Sequence, residues 1–319
     1  MIAALWLVVA ISVVALQFAL DAKERRTLAL NASEQGINRG LALGALSLMD
    51  AKLDYALRSG VQNNTAVAGT RSGDPWMDAD SVFSGTVLID SMPVVVKATD
   101  LGTMININTA SDTVLRTFFG LVLKDYAKAD QLADMIADWR DIDDNPRLNG
   151  DEADGYEKKG LLTLPANQPF RAVSDLLQVE GFTPAIYDEV APYFTVYGTG
   201  TVNLNTAPED VLRSLPGMTD AIYANILAAR SRGLRISSVA QVVPGVATGG
   251  GRGGRGGAAT GAQTMASIQL VELQRAAVVD TREVLLTMTA KSASQARPVQ
   301  LIALLTRAGT AATVSWLQW

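Results

Sequence analysis

The chain opens on an apolar run and continues as an amphipathic one. From Ile2 to Leu20 no side chain is charged, and only Ser12 and Gln17 are polar. That length suits a helix that crosses about 30 Å of hydrocarbon. Helix-compatible sequence without proline continues to about Leu57, so we expect one long helix whose second half covers a sheet. A plain single-pass anchor and a cleaved signal peptide are the alternatives. The leucines available to cover the sheet are Leu41, Leu46, Leu48, Leu53 and Leu57.

Strand-like patterns occur at two places far apart in the chain. Residues 81–90 and 93–99 are rich in β-branched side chains and are separated by a turn, which predicts two strands of a sheet. Strand patterns return after residue 266, in residues 284–290, 298–306 and 312–319. We therefore expect an α+β protein in which both groups of strands belong to one sheet.

The region from about Asn106 to Val243 is mostly helical in pattern. Helical periodicity and capping residues predict six helices there. They are Thr109–Phe118, Ala129–Trp139, Ala172–Val179, Pro184–Tyr193, Pro208–Leu215 and Asp220–Arg230. A helical insertion between strands of one sheet explains this order more simply than separate domains in series.

Two stretches of the insertion nearly repeat each other, 97 residues apart. Residues 105–120 read ININTASDTVLRTFFG, and residues 202–217 read VNLNTAPEDVLRSLPG. Each copy predicts an extended segment, an N-cap at Thr109 or Thr206, and a helix that ends near a glycine in the left-handed conformation. Those glycines are Gly120 and Gly217. One supersecondary unit is therefore used twice.

Composition removes several classes of function. The chain has 319 residues, a net charge of -5, no cysteine and no histidine. Disulfides, thiolate chemistry, Cys/His zinc sites and Ser-His-Asp triads are therefore excluded, and any metal must be bound by oxygen. No Ser-x-x-Lys or Gly-x-Ser-x-Gly arrangement is present, so we expect no enzyme activity. The acidic balance makes nucleic acid an improbable partner.

Seven carboxylates fall within 17 residues, and these predict a cation site. They are Asp138, Asp141, Asp143, Asp144, Asp151, Glu152 and Asp154. Like charges this close repel unless a cation lies among them, and calcium suits a flexible loop better than magnesium. The spacing from Asp141 to Glu152 is typical of an EF-hand loop, although Pro146 stands where that loop needs a glycine. A solvated acidic loop and paired-carboxylate glycoside hydrolysis are the alternatives.

Residues 245–262, GVATGGGRGGRGGAATGA, predict a flexible solvated loop, because glycine-rich chains recover little of their ordering entropy by burial. An RGG-like tract can contact single-stranded nucleic acid. With two arginines in an acidic chain, a plain linker is the favoured interpretation.

In order along the chain, these motifs resemble the minor pseudopilin K family of bacterial type II secretion. The resemblance covers nearly the whole sequence. It is carried by the apolar start at residues 1–20, NINTA at 106–110, DWRDIDD at 138–144, DEADGY at 151–156, residues 169–198, and VNLNTAPEDVLRSLPGM at 202–218.

The resemblance implies a pilin-like fold, in which a long helix lies on an antiparallel sheet and a large all-α domain is inserted between strands. It divides the chain into the transmembrane and pilin helix (1–57), the first part of the sheet (58–104), the inserted domain (105–244), the glycine-rich loop (245–265) and the C-terminal strands (266–319). It also implies assembly with pseudopilins I and J at a pseudopilus tip, with the major pseudopilin and the inner-membrane platform as further partners.

The family resemblance further implies a calcium site in the inserted domain. It transfers to Asp141, Asp143, Asp151, Glu152 and Asp154. Family members also lack the glutamate that other pilins carry near mature position five, and this chain has Leu5 there.

The resemblance places the protein in the bacterial inner membrane, held by residues 1–20, with its bulk in the periplasm. The bases Lys23, Arg25 and Arg26 follow the apolar run, and a literal positive-inside interpretation would place the bulk in the cytoplasm. Removal of a basic leader would reverse that inference. We expect the sequence to be either a mature form or one that starts at an internal methionine.

The alternative function is that of a membrane-anchored helix-hairpin-helix DNA-binding protein of the competence type. Residues 203–217 followed by a helix resemble such a unit. Those hairpins bind phosphate through the backbone amides of a Gly-x-Gly turn, whereas this chain has Pro216-Gly217-Met218-Thr219. The second glycine is missing, so we favour a packing module.

Overall fold

The chain begins with a helix of 61 residues. In this computed structural model, which describes residues 2–62, 76, 83–246, 261–292, 297–308 and 311–318, helix α1 spans Ile2–Gln62. At 1.5 Å per residue it is about 90 Å long. The sequence predicted one long helix to about Leu57, and the observed helix ends five residues later.

Within the described ranges the chain forms nine strands. They are β1 (Gly85–Ile89), β2 (Met92–Asp100), β3 (Ile105–Asn106), β4 (Phe194–Thr195), β5 (Val202–Asn203), β6 (Ala277–Val278), β7 (Glu283–Ala290), β8 (Val299–Ala308) and β9 (Ala311–Gln318). Five of them form the main sheet in the order β1-β2-β7-β8-β9, and every neighbouring pair is antiparallel. The predicted α+β fold class is therefore confirmed.

The second half of α1 lies on one face of the main sheet. Its buried side chains pack into a core shared with β2, β7 and β8, and they are Leu41, Ala42, Ala45, Leu46 and Met49. Gly44 of α1 lies close to β1, and an added Cβ there would lie 3.0 Å from Ile89 Cγ2. Of the predicted contact leucines, Leu48 is half-buried at the edge of this core. The side chains of Leu53 and Leu57 lie outside the described part.

Seven further α-helices lie in the chain between β2 and β7. They are α2 (Asp112–Leu123), α3 (Tyr126–Arg140), α4 (Ala153–Lys158), α5 (Pro184–Val190), α6 (Glu209–Arg213), α7 (Asp220–Ser231) and α8 (Gly261–Ala276). Their buried side chains form a core separate from the core of the main sheet. Since β2 pairs directly with β7, the helical part is an insertion between two neighbouring strands.

Three of the predicted helices are shorter or tighter than expected. The segment predicted as Ala172–Val179 forms a 3-10 helix over Val173–Gln178. The segment predicted to continue to Tyr193 ends its α-helix at Val190 and finishes as a short 3-10 turn. The segment predicted as Pro208–Leu215 is helical only over α6, because Pro216 and Gly217 follow almost at once.

Helix α8 stands where the sequence predicted the end of the glycine-rich loop and the start of the C-terminal strands. Residues 247–260 of that loop lie outside the described part of the chain. Helix α8 buries Ala266 and Leu273 in the helical core, so one face of this segment has a surface to pack against. The spacing of seven residues between them suits a helix face.

No helix in the described ranges is both long enough and apolar enough to cross a membrane. The membrane anchor predicted at residues 1–20 is therefore not confirmed. The large apolar side chains described there, from Ile2 to Leu20, are exposed in the isolated chain.

One buried carboxylate lies where the main sheet meets the insertion. Asp100 ends β2 and is 4% exposed. One of its oxygens accepts a hydrogen bond from Gly102 N (2.9 Å), and the other accepts from the hydroxyls of Thr206 (2.8 Å) and Thr281 (2.9 Å). Thr281 precedes β7, so the hydrogen bonds of Asp100 link the segment where the chain leaves the main sheet to the segment where it returns.

Replacing Asp100 by asparagine should lower the free energy of unfolding by about 1 to 3 kcal/mol, because an amide nitrogen cannot accept from the two hydroxyls. Chemical denaturation measures this loss. The exposed Asp188→Asn is the matched control and should change stability by less than about 0.5 kcal/mol. Equal stability of the two variants would contradict a joining role for Asp100.

Candidate metal centre and the duplicated unit beside it

The first copy of the duplicated unit is held by two asparagine side chains. Asn106 Oδ1 accepts from the backbone N–H of Asn108 (2.9 Å), and Asn106 Nδ2 donates to the carbonyls of Tyr197 (3.1 Å) and Gly198 (2.8 Å). Asn108 pairs with the backbone of Phe170, since its Nδ2 donates to the carbonyl (3.0 Å) and its Oδ1 accepts from the N–H (2.8 Å). The alternating asparagines are therefore structural.

The second copy repeats this arrangement. Asn203 Oδ1 accepts from the N–H of Asn205 (3.0 Å), and Asn203 Nδ2 donates to the hydroxyl of Thr281 (3.0 Å). Asn205 pairs with the backbone of Ile236, at 3.0 Å to the carbonyl and 2.9 Å from the N–H. The sequence repeat is thus a repeat of hydrogen bonding as well.

In the first copy an arginine at the end of α3 holds the turn that precedes α2. Arg140 Nη2 donates to the carbonyl of Ala110 (2.7 Å), and Arg140 Nη1 donates to the carbonyl of Ile107. Burial lowers the pKa of the Arg140 guanidinium, although the nearby Asp112 carboxylate opposes this effect. Backbone carbonyls therefore stabilise the positive charge of Arg140 in a partly buried position.

Arg230, near the end of α7, does the same in the second copy. Its Nη1 donates to the carbonyl of Ala207 (2.7 Å), while its Nε (3.1 Å) and Nη2 (2.8 Å) donate to the carbonyl of Leu204. Ala207 and Leu204 are the repeat equivalents of Ala110 and Ile107, 97 residues on. Sequence reasoning missed both arginines. The available signal was an arginine at the end of the second helix of each copy.

The helix starts differ from the predicted N-caps at Thr109 and Thr206. Ser111 caps α2, and its hydroxyl accepts from the N–H of Val114 (3.4 Å). Pro208 holds the equivalent place before α6 and offers no side-chain hydrogen bond. Both threonines lie in the turn before the helix, where their N–H groups donate to the carbonyl of the first asparagine in each copy.

The two predicted helix-ending glycines also differ from each other. Gly217 has the left-handed conformation (φ 74°) that the sequence predicted. Gly120 lies inside α2, which ends at Lys124 with φ 53°. The prediction for Gly120 is therefore wrong. Helix α2 continues past Gly120 to Leu123 because the residues after Gly120 suit a helix. In the second copy, Pro216 prevents the helix from continuing to the equivalent glycine.

The second half of α3, where the acidic segment begins, carries buried carboxylates. Asp134 is satisfied, since its Oδ2 accepts from Asn149 N (3.1 Å) and Nδ2 (3.0 Å) and it also pairs with Arg116. Asp138 Oδ2 accepts from the N–H of Arg147 (3.0 Å). An added Cβ at Gly150 would lie 2.0 Å from Asp138 Oδ2, so only glycine fits there. The loop from residue 141 to 152 is therefore folded back against α3.

Four carboxylate oxygens in this segment are buried and accept no hydrogen bond. They are Asp138 Oδ1, Asp141 Oδ1, and both Oε1 and Oε2 of Glu152. The Asp138 oxygen has an arginine Nε at 3.5 Å, and Glu152 is 4% exposed. Burying a carboxylate oxygen without a hydrogen-bond partner costs free energy, so these oxygens are ligands that suit a hard cation.

Burial and mutual repulsion raise the pKa of all three carboxyls. Burial is the larger cause for Glu152, and repulsion by Asp138 and Asp141 adds to it, which raises the pKa of Glu152 to about 7. Burial raises the pKa of Asp138 to about 6 against the opposing effect of the Arg147 N–H. For Asp141, burial and then Asp143 raise the pKa. A bound cation would reverse these shifts by favouring the ionised forms.

The other predicted ligands have partners of their own or face solvent. Asp143 accepts from Asn145 N (3.0 Å) and Nδ2 (2.8 Å), and these hydrogen bonds lower its pKa. Asp151 pairs with Lys159 at 2.8 Å. Asp154 is exposed in the first turn of α4. Of the five residues predicted from the sequence, only two have buried unpaired oxygens.

Two observations on this segment point in different directions. Among the described residues, no group of three or more acidic side chains stands ready to hold a metal ion. The buried oxygens of Asp138, Asp141 and Glu152 that accept no hydrogen bond nevertheless lie within electrostatic reach of one another, since Glu152 is repelled by both aspartates. Carboxylate oxygens are the ligand type that a hard cation prefers. An oxygen-bound cation at these residues stays a prediction.

The long helix on an antiparallel sheet and the inserted helices define a pilin-like fold with an inserted helical domain. Residues 97–199 match the family described as type II secretion system (T2SS), protein K. A solved structure, described as the GspK-GspI-GspJ complex from the enterotoxigenic Escherichia coli type 2 secretion system, contains a chain with the same fold. The TM-score is 0.60 at 16% identity, over 90% of this chain and 98% of that chain.

Curated relatives support the same assignment. A putative type II secretion system protein K of Escherichia coli (strain K12) is 33% identical over 115 residues, 34% of this chain and 35% of that protein. Protein K of Klebsiella pneumoniae is 36% identical over 85 residues, 26% of each chain. Protein K of Pectobacterium carotovorum is 26% identical over 157 residues, 44% of this chain and 47% of that protein.

The sequence motifs predicted this similarity to the type II secretion system protein K family. The matched part spans between 26% and 47% of the length of the curated relatives described above. Residues 97–199, which match the family, include the first copy of the duplicated unit and the acidic segment.

Proposed function

We propose that this protein is a minor pseudopilin at the tip of the type II secretion pseudopilus, where it initiates or caps assembly for export across the outer membrane. The observation that carries the proposal is the insertion of a helical domain with its own core between the paired strands β2 and β7. A pilin-like subunit of ordinary width can be stacked upon. This insertion adds bulk beside the sheet, and a further subunit above it would clash.

The exposed apolar start of α1, residues 2–20, supports this role. Large side chains there are 46% to 77% exposed from Ile2 to Leu20, a larger apolar surface than a monomer in water leaves uncovered. We propose that the lipid of the inner membrane covers it first, and the helices of other pseudopilins cover it in the fibre, with the bulk of the chain in the periplasm. Leu5 offers no carboxylate to a neighbouring N-terminal ammonium, which suits a subunit at the end of the fibre.

The partners proposed are the minor pseudopilins I and J. The solved structure is described as a GspK-GspI-GspJ complex, and this chain shares the fold of one of its chains. We expect the tagged full chain, co-expressed with the I and J pseudopilins of one secretion system, to purify with both. Native mass spectrometry of the purified material gives the stoichiometry.

The tagged major pseudopilin, expressed in the same way, is the control for that experiment, and it should retain less of the I and J subunits. The proposal would be overturned if neither subunit purified with this chain, or if labelled copies of the chain were found along the whole shaft of a filament. Contacts with the major pseudopilin and the inner-membrane platform remain predictions.

We also propose that the acidic segment binds calcium. Glu152, Asp141 and Asp138 supply buried oxygens that accept no hydrogen bond, and Asp143, Asp151 and Asp154 lie in the same loop or directly after it. When bound, the cation would offset the repulsion among these carboxylates and hold the loop between α3 and α4. Its effect is therefore on stability and on the shape of the inserted domain.

The alternative function, binding of duplex DNA by a helix-hairpin-helix unit, has little support in the contacts of that unit. Arg213 is paired with Glu209 (2.8 Å) and Asp220 (2.8 Å), and its guanidinium lies 4.2 Å from the Tyr223 ring centroid. Arg230 donates to backbone carbonyls. Both arginines of residues 202–230 are thus engaged within the protein. That the chain is not an enzyme remains a prediction.

A further inference from the structure

The loops on either side of α4 carry aliphatic side chains that are almost fully exposed. Ile142 is 89% exposed, Leu148 is 95% exposed and Leu162 reaches 103%. Leu161 and Leu164 are exposed at 39% and 40%. None of the three most exposed side chains belongs to the candidate metal centre, and none contributes to either core. Their exposure therefore needs another explanation.

These two loops lie side by side. Helix α4, which separates them in sequence, has six residues and is about 9 Å long. Asp144 Oδ1 in the first loop accepts from Asn167 Nδ2 in the second at 3.1 Å. Trp139 at the end of α3 stacks on Phe170 beyond the second loop, with ring centroids 6.0 Å apart. The two loops that carry the exposed aliphatic side chains thus contact each other beside the end of α3.

The charge around these side chains is negative. Residues 141–167 contain seven carboxylates and three basic side chains, which leaves a net charge of -4. One bound divalent cation would leave -2. A lipid headgroup layer, which is neutral or anionic, gains nothing from such a surface. A protein that presents apolar side chains between lysines and arginines is complementary in both respects.

We infer that Ile142, Leu148 and Leu162 form a docking surface for a partner protein whose contact region is apolar and flanked by basic side chains. This surface lies on the insertion, in the loops on either side of α4. The inference goes beyond the proposed place at the tip and does not depend on it.

The first test uses a displayed random-peptide library, selected against the full chain in detergent micelles with calcium chloride present. Enriched peptides should combine apolar residues with lysine or arginine, and their synthetic copies should bind more weakly as salt rises. Their affinity should fall at least about tenfold for the triple variant Ile142→Ser, Leu148→Ser, Leu162→Ser. Enriched peptides without basic residues would overturn the inference.

The matched control is a second triple variant on the exposed face of α8, Met265→Ser, Ile268→Ser and Val271→Ser. It removes exposed apolar surface elsewhere on the insertion, less than the loop variant does because these side chains are 47% to 57% exposed, and it should leave peptide affinity within about twofold of wild type. Equal binding by wild type and by the loop variant, with an unchanged thermal midpoint in each, would also overturn the inference.

A membrane contact at the same loops is tested by a single label. Because the chain has no cysteine, Leu162→Cys gives one site for an environment-sensitive fluorophore. Vesicles of phosphatidylcholine, with and without phosphatidylglycerol, should leave its emission unchanged, whereas a selected peptide should shift it to the blue. A blue shift with vesicles alone would assign the surface to lipid and overturn the inference.

Discussion

Chelation of calcium at pH 8 should lower the thermal midpoint of the full chain in detergent by roughly 5 to 10 °C. A ligand present at 100 times its dissociation constant stabilises the folded state by about 2.7 kcal/mol. For a protein of this size each kcal/mol corresponds to about 2 to 4 °C. Scanning calorimetry with calcium and with a chelator measures the difference.

Without the cation, stability should fall as pH rises. The folded-state pKa of Glu152 is about 7, above its ordinary value of 4.5, so the folded protein keeps a proton that the unfolded chain has lost. Below about pH 4.5 both states are protonated and the group makes no difference. Between pH 4.5 and 7 stability is lost progressively, to a total of about 3 kcal/mol. Asp138, whose pKa is about 6, adds a loss with the same sign.

Calcium should remove or reverse this pH dependence, because it binds the ionised carboxylates. Glu152→Gln tests the assignment, since the amide cannot ionise. We expect a flatter pH profile in chelator and a smaller response to calcium. Glu157, an exposed acid on α4, the helix that follows Glu152, gives the matched control Glu157→Gln, which should behave as wild type.

The cation proposal fails if the midpoint at pH 8 is the same in calcium and in chelator. It also fails if Glu157→Gln loses the calcium response as fully as Glu152→Gln does. A pH profile that is flat in chelator would show that the carboxyls of Glu152 and Asp138 are not buried as the structure places them.

Replacing either Arg140 or Arg230 by alanine should lower the free energy of unfolding by about 3 to 5 kcal/mol. Each guanidinium donates to two backbone carbonyls, and hydrogen bonds from a charged donor contribute about 1.5 to 3 kcal/mol apiece. Two carbonyls would be left without this donor in each variant. Since whole proteins are stable by only about 5 to 15 kcal/mol, either loss is large.

Chemical denaturation of Arg140→Ala, Arg230→Ala and the exposed control Arg232→Ala checks this expectation. Arg140→Lys should lie between alanine and wild type, because a single ammonium cannot span both carbonyls. The repeat predicts losses of similar size for Arg140→Ala and Arg230→Ala. A loss below about 0.5 kcal/mol in both would show that the two arginines do not hold their turns.

Much of the architecture follows from the order of patterns along the chain. The strand patterns near residues 93–99 and 284–290 predicted one sheet, and β2 does pair with β7. Strand signals work here because alternation puts one set of side chains on the buried face. The extents of the helices were less predictable. Helix α8 was missed because its place depends on Ala266 and Leu273 reaching a core that only the assembled insertion provides.

The candidate metal site shows the same division. Composition and spacing predicted an oxygen-bound cation in residues 138–154, because seven carboxylates repel without one. Sequence spacing could not tell a buried acid from an exposed one. The fold buries Glu152 and Asp138, pairs Asp151 with Lys159, and leaves Asp154 exposed to solvent.

By itself, the sequence determined the apolar leading helix, the helical insertion within a sheet, the duplicated unit and the similarity to the protein K family, since all of these are recorded in local pattern and in order. The tertiary structure decided which carboxylates are buried without partners and which arginines hold the repeated turns. Both depend on contacts between residues far apart in the chain: Arg140 lies 33 positions from Ile107, and Arg230 lies 26 from Leu204. Burial and long-range hydrogen bonds arise only when those segments are packed together.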